Sequence, residues 1–212
     1  IEEQSNLLSV HKPIEPTLDA GRYLKNNVHS VSLNTITKLN DNLEFNANAQ
    51  YTHDFQTAQG SSLITYYLPN AAPVVIQEIT STNNRNDRAE LNLQLRSNTD
   101  KRYLLDKLTL LGRWDNNFGS VTNNGEQVEQ QFRQPLITIR NQFNGVKRFN
   151  NKAIRFSSDT DYNIQSGSLR VMPMIYSEIF GNRPDYPNGI QCLDSRRFRS
   201  VNQTFIAHAI NR

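Results

Sequence analysis

The sequence predicts an all-β chain, an antiparallel up-and-down meander of long amphipathic strands. Three observations carry that expectation: apolar and polar residues alternate over long stretches, tight turns join those stretches in pairs, and no stretch is continuously apolar. In DNLEFNANAQYTHDF, residues 41–55, the apolar Leu43, Phe45, Ala47, Ala49, Tyr51 and Phe55 take odd positions, while Glu44, Asn46, Asn48, Gln50, Thr52 and Asp54 take even ones. Successive side chains of a strand point to opposite faces, so a period of two assigns the two sets to two faces of a sheet. An ordinary strand runs about 5–6 residues, and this one is more than twice as long.

The pattern recurs along the chain. Ahead of it, VHSVSLNTITKL sets Val31 and Leu33 against Ser32 and Asn34, and KLNDNLEF is a connection short enough for a hairpin. AELNLQLRSN places Ala89, Leu91, Leu93 and Leu95 on one face, with Glu90, Asn92, Gln94 and Arg96 on the other. After a turn in SNTDKRYLLDKL, the run KLTLLGRWDNNFG alternates Leu108, Leu110, Gly112 and Trp114 against Lys107, Thr109, Arg113 and Asp115, with Leu111 as the exception. PLITIRNQFNGVKRF leads through Asn150-Asn151 into AIRFSSDTDYNIQ, where Ile154, Phe156, Tyr162 and Ile164 oppose Arg155, Asp159, Asp161, Asn163 and Gln165. RSVNQTFIAHAI completes a set of about seven strands. Hairpins are expected over residues 28–55, 87–118 and 133–165, and long polar loops over 56–86, 119–132 and 166–197.

Composition narrows what can lie against the apolar face. The apolar fraction is 36% and the mean hydropathy −0.65. No run reaches the roughly 18 consecutive apolar residues of a membrane helix. That excludes a helical membrane protein but leaves a membrane barrel open, because barrel strands are only half apolar. The net charge is +3, with the basic residues scattered and densest at Arg196, Arg197 and Arg199 in DSRRFRS. A nucleic-acid site calls for a broader basic stripe with stacking aromatics, so no nucleic-acid partner is expected. Cys192 is the only cysteine of the 212 residues, so no internal disulfide or cysteine-based zinc site can form. The start, IEEQSNLLSV, lacks the parts of a signal peptide, and both ends are expected to be cuts in something longer.

Strand length and loop asymmetry favour the barrel. A membrane-crossing strand needs about 9–11 residues, and membrane barrels alternate short turns with long loops. Tyr51, Phe55, Trp114, Phe118 and Tyr162 are expected at the long-loop ends of their strands, with Phe143 and Phe149 near a short turn. Two such aromatic bands match the girdles that anchor a barrel at its interfaces. On this reading Leu43, Phe45, Ala47 and Ala49 face lipid. The lumen-facing set is Glu44, Asn46, Asn48, Gln50, Glu90, Asn92, Gln94, Arg155, Asp159 and Asp161, supplying hydration and weak selectivity without chemistry. The rival is a soluble, secreted or periplasmic β-sandwich that binds glycan or protein and buries the same apolar faces between two sheets. Ala47, Ala49 and the low apolar fraction fit such a core poorly.

No catalytic, cofactor or metal site is expected. His53 and Asp54 are strand neighbours and point apart, so they make no dyad. The histidines at 11, 29, 53 and 208 lack metal-binding spacing. Asp159, Asp161 and Asn163 alternate oxygen ligands without the turning Gly and later Glu of a calcium loop. Gly119, Gly125 and Gly145 are isolated, so they form no phosphate cradle. NRPDYPNG, residues 182–189, is expected to make a reverse turn.

Two longer runs carry a resemblance. GRYLKNNVHSVSLNTITKLNDNLEFNANAQYTHDFQ, followed by SSLITYYLP, and RAELNLQLRSNTDKRYLLDKLTLLGRWDNNFG resemble the barrel portion of Gram-negative outer-membrane proteins of the TonB-dependent receptor type. More narrowly, they resemble the group that carries a carboxypeptidase-regulatory-like domain ahead of the barrel. The resemblance spans Gly21 to Gln165. It implies an outer-membrane location and a role in substrate uptake. It also implies partners: membrane lipid, the remainder of the same barrel, an energy-coupling protein and a surface lipoprotein. The chain shows no plug, energy-coupling box or regulatory-like domain, so residues 1–212 are expected to be one partial barrel from its middle.

Overall fold

The computed structural model describes residue 10 and residues 24–69, 72–150, 152–173 and 188–208. They form a single antiparallel sheet with its strands in chain order: β1 (Lys25–Asn40), β2 (Leu43–Tyr66), β3 (Val74–Asn98), β4 (Arg102–Asn123), β5 (Glu126–Phe149), β6 (Lys152–Met172) and β7 (Gly189–His208). The chain is therefore an all-β up-and-down meander. β1 and β7 are its two edges, and the sheet is open.

One register runs across all seven strands. The row through Ala49 reads Leu33, Ala49, Leu91, Leu110, Ile139, Tyr162 and Phe198. Opposed residues of an antiparallel pair share a face, so each such row belongs wholly to one side. Two local departures have plain causes. A bulge between Lys38 and Asn40 lets β1 turn into β2. The β5–β6 ladder skips Gln134 and Pro135, where proline has no N–H to donate.

The strands run longer than expected, from 16 residues in β1 to 25 in β3. Two expected loops are mostly strand. Residues 56–86 are the continuation of β2 to Tyr66 and of β3 from Val74, and residues 119–132 are the ends of β4 and β5. The β4–β5 connection is the two-residue turn Asn124-Gly125, with φ of 47° and 92°, the left-handed pair that a type I′ hairpin requires. Of the third loop, 166–197, the first residues belong to β6 and the last to β7. The turn expected at 182–189 falls, up to Pro187, outside the described residues. These strands satisfy their backbone by pairing with each other, so polar sequence with no apolar stripe still extends the sheet.

Burial is distributed unlike that of a water-soluble sheet. The face carrying Asn46 and Asn92 also holds the buried Thr80, Thr82 (2% exposed), Phe132, Gln134 (4%) and Leu169. Val10 packs there against Phe132 and Leu169, flanked by Val171 and Leu193. The opposite face leaves Leu33 69%, Trp114 43% and Phe198 68% exposed. Ser97, next to the β3–β4 turn, is the buried residue on that side. The shielded face is the polar one.

Candidate functional site

The polar face gathers all ten residues expected to line a lumen. Asn46 pairs with Gln94, Asn48 with Asn92, and Gln50 with Glu90, while Glu44 opposes Arg96. Through Thr109, Thr138 and Arg140 the same face continues to Arg155, Asp159 and Asp161 on β6. Pleating alone delivers this, because every one of these residues has the same parity relative to its neighbours' register.

The groups on this face neutralise one another. Arg88 pairs with Glu90 at 2.9 Å, Arg113 with Asp115 at 3.0 Å and Arg140 with Asp159 at 3.1 Å. Asn92 donates to Glu90 at 2.8 Å and Thr109 to Asn92 at 2.8 Å. Thr138 donates to Asn163, which donates to Asp161. Asn48 donates to Asn34 across β1 and β2. Above this lattice lies a recess of about 710 Å³ lined by Asp54, Asn84, Asn86, Arg88, Arg113, Asp115 and Asn117. Such a surface wets readily and offers amides and paired charges to a polar solute. Among the described residues, no group of three or more His, Cys, Asp and Glu side chains is placed to hold a metal.

The apolar face is built consistently on β2 and β3, and on β4 with Asp106 as the exception. The odd residues from Leu43 to Tyr51 and from Ala89 to Leu95 point the same way as Leu104, Leu108 and Leu110. Small residues leave a depression of about 570 Å³ over Ala49, Ala89 and Gly112, rimmed by Tyr51 and Trp114. The Trp114 indole lies directly over Gly112, where any added Cβ would collide with it. Phe143 covers Gly145 in the same way, 3.1 Å from where a Cβ would stand. An aromatic folded over a strand glycine restores the packing that glycine forfeits. Phe143 also packs against Phe156, and Lys147 sits 5.2 Å above the Phe149 ring near the β5–β6 turn.

On β5 to β7 the same face is interrupted. Asn141, Ser158, Thr160, Ser200 and Asn202 lie among the apolar residues. Four of these groups bond to one another or to the neighbouring strand. Asn141 donates to Asp106 at 2.8 Å, Asn202 donates to Ser200 at 3.3 Å, and the Thr160 and Ser200 hydroxyls are 3.2 Å apart.

Tyr51, Phe55, Trp114, Phe118 and Tyr162 all stand on this apolar face. They are mid-strand and not at loop ends, because the strands continue well past them. Tyr51 and Trp114 mark where the apolar run gives way. There, just beyond Ala89 on β3, Asp87 accepts hydrogen bonds from Tyr51 and His53, each 2.7 Å, and pairs with Arg85 at 3.2 Å. The hydrogen bond from His53 is the main reason the Asp87 carboxyl is held below the usual carboxylate range; partial burial opposes it, and Tyr51 and Arg85 add to the lowering. His29 stacks on His53 with ring centroids 6.5 Å apart.

This boundary cluster has no counterpart in the sequence reading. His53 and Asp87 are far apart in the chain and meet only through the β2–β3 register, so His53 takes its carboxylate from β3 and not from adjacent Asp54. Trp114 over Gly112 had a usable signal, since residues two apart on a strand share a face. No protein-family model matches the chain, and no curated protein matches it.

Proposed function

We propose that this chain is a section of the wall of an outer-membrane β-barrel of the TonB-dependent receptor type, serving substrate uptake. The observation that carries the membrane part is the inverted covering of the sheet. Its apolar face stands open, and its polar face holds the buried side chains. Exposed apolar surface of this extent marks contact with lipid or a partner, and a bilayer, which excludes water, requires backbone groups to find internal partners, as β2 to β6 do by pairing on both sides.

The crossing segments on this reading are residues 43–51, 89–97, 104–112, 137–145 and 154–164 of β2 to β6, each of the about 9–11 residues that a tilted strand needs. The polar face lines the lumen, and its ten named residues hydrate the path and select weakly by charge. The edges β1 and β7 pair with the remaining strands of the barrel, since an unpaired edge is not tolerated in lipid. The receptor type, the energy-coupling partner and the surface lipoprotein rest on the sequence resemblance. A soluble sandwich would place a second sheet over Leu33, Leu91 and Leu110, and the described residues form one sheet.

The test is solubility in the folded state. The full chain is expected to acquire sheet signal only with detergent or bilayer present and to stay with the bilayer after alkaline washing. A folded, monomeric chain in plain buffer would overturn the reading in favour of the sandwich.

A further inference from the structure

We propose that the outward face just beyond the apolar band binds the phosphate headgroups of anionic lipid through Arg85, Arg133 and Arg170, with Lys25 and Arg196 extending the belt on the edge strands. The proposal rests on the membrane reading and adds a lipid chemistry to it.

Register places these cations together. Phe55 pairs with Arg85, Arg85 with Asn116, and Asn116 with Arg133, so the two arginines share one row of the apolar face with an amide between them. Two strand spacings separate them, about 10 Å. Arg170 pairs with Gln131 and so stands diagonally beside Arg133 on β6. Lys25, opposite Thr57, and Arg196, opposite Ile164, point the same way. Arg85, Arg133, Arg170 and Arg196 are exposed. Phe55 and Phe118 alternate with them on the same surface.

The charge balance on the two faces differs at this level. On the polar side at this level Arg88 pairs with Glu90 and Arg113 with Asp115. On the outward side the acids are Asp87, Asp194 and Glu129, three against the five cations, and Asp87 is shared by Tyr51, His53 and Arg85, the last at 3.2 Å. A surplus of guanidinium groups thus sits where hydrocarbon ends. Arginine stems lie along apolar surface while the heads reach outward, and a guanidinium matches phosphate oxygens in a bidentate fork. A cation at an anionic membrane surface strengthens binding by about fivefold.

Trp114, the only tryptophan, lies at this margin and reports the transfer. The full chain would be titrated with vesicles of phosphatidylcholine alone and of phosphatidylcholine with phosphatidylglycerol, following Trp114 emission. Expected is transfer to both, with tighter binding to the anionic vesicles. In the triple variant Arg85→Gln, Arg133→Gln, Arg170→Gln the preference should shrink by about fivefold per side chain, while binding to neutral vesicles stays unchanged. The corresponding lysine variant should keep part of the preference, since it retains the charge and loses the bidentate fork, and millimolar inorganic phosphate should not compete. Equal preference in wild type and triple variant, or competition by free phosphate, overturns the headgroup site alone. Transfer to neither vesicle overturns the membrane reading beneath it.

Discussion

Between Leu43 and Tyr51 the two faces of β2 share no chemistry, whereas from Thr52 to Tyr66, on the same strand beside the same neighbour, both faces are largely polar. β3 divides likewise at Asp87, and β4 at Trp114. The pleat is continuous through both halves, so pleating alone separates side chains without sorting them. Sorting occurs only over a length matching the hydrocarbon core, about 9–11 residues per strand. Beyond it the sheet is held by its ladder and its turns. The half that sorts needs a solvent for its apolar side, and the half that does not is at ease in water on both.

The largest effect expected from this contrast comes from placing charge on the open face of each half. Leu93→Arg should cost about 2–4 kcal/mol of stability in bilayers, as for a lipid-facing cation near the midplane. Ser81→Arg, on the same face of the same strand beyond the boundary, should stay within about 0.5 kcal/mol. Denaturant titration of the reconstituted chain reads both, and equal losses would break the contrast.

At the boundary itself, Gly112→Val drives a side chain into the Trp114 ring. A loss of about 1–3 kcal/mol is expected, as for overpacking elsewhere, together with a red shift of Trp114 emission as the indole lifts into water. An unshifted emission would show that the ring does not cover Gly112.

A smaller and more local effect is expected from Gly125→Ala. Its φ of 92° disfavours any Cβ, at a cost of about 1 kcal/mol. Hydrogen exchange should accelerate at Val121 and Val128, which pair near the turn, and not at Leu91 or Leu110 in the sorted half. Acceleration in both halves would mean they do not open separately.

The smallest effect concerns pH. Asp87 has a depressed pKa in the fold, so its contribution is complete above the unfolded carboxylate value of about 3.9 and fades as pH falls through the folded value. Being partly exposed, it is worth little at neutral pH. Asp87→Asn should flatten the acid limb of stability measured below about pH 4, leaving the neutral region almost unchanged. An identical acid limb would show that the His53 contact does not persist.

What could be read from sequence follows from the same contrast. The sorted half announces itself, because Leu43 to Tyr51 and Ala89 to Leu95 write the pleat in hydropathy. The half beyond Tyr51 and Asp87 writes nothing of the kind in QTAQGSS or ITSTNNRND, whose polar sequence reads as loop. Its one plain signal was Asn124-Gly125, whose preference for left-handed turns marks a hairpin. The Tyr51, His53 and Asp87 cluster was illegible because it depends on a register set by dozens of distant pairings. The polar stripe from Asn141 to Asn202 was legible residue by residue. Its meaning was not, since cross-strand bonds such as Thr160 to Ser200 exist only once β6 and β7 are aligned.

The most direct measurement places single spin-labelled cysteines at each position from 43 to 54 in a Cys192→Ser background, reconstituted into bilayers. Collision rates with oxygen and with a water-soluble nickel chelate are read at every site. The account predicts alternation out of phase through Tyr51, with odd positions reached by oxygen and even positions by nickel, and nickel gaining access to the odd side at His53. Odd positions shielded from both reagents would contradict it, because the apolar face would then be packed against protein.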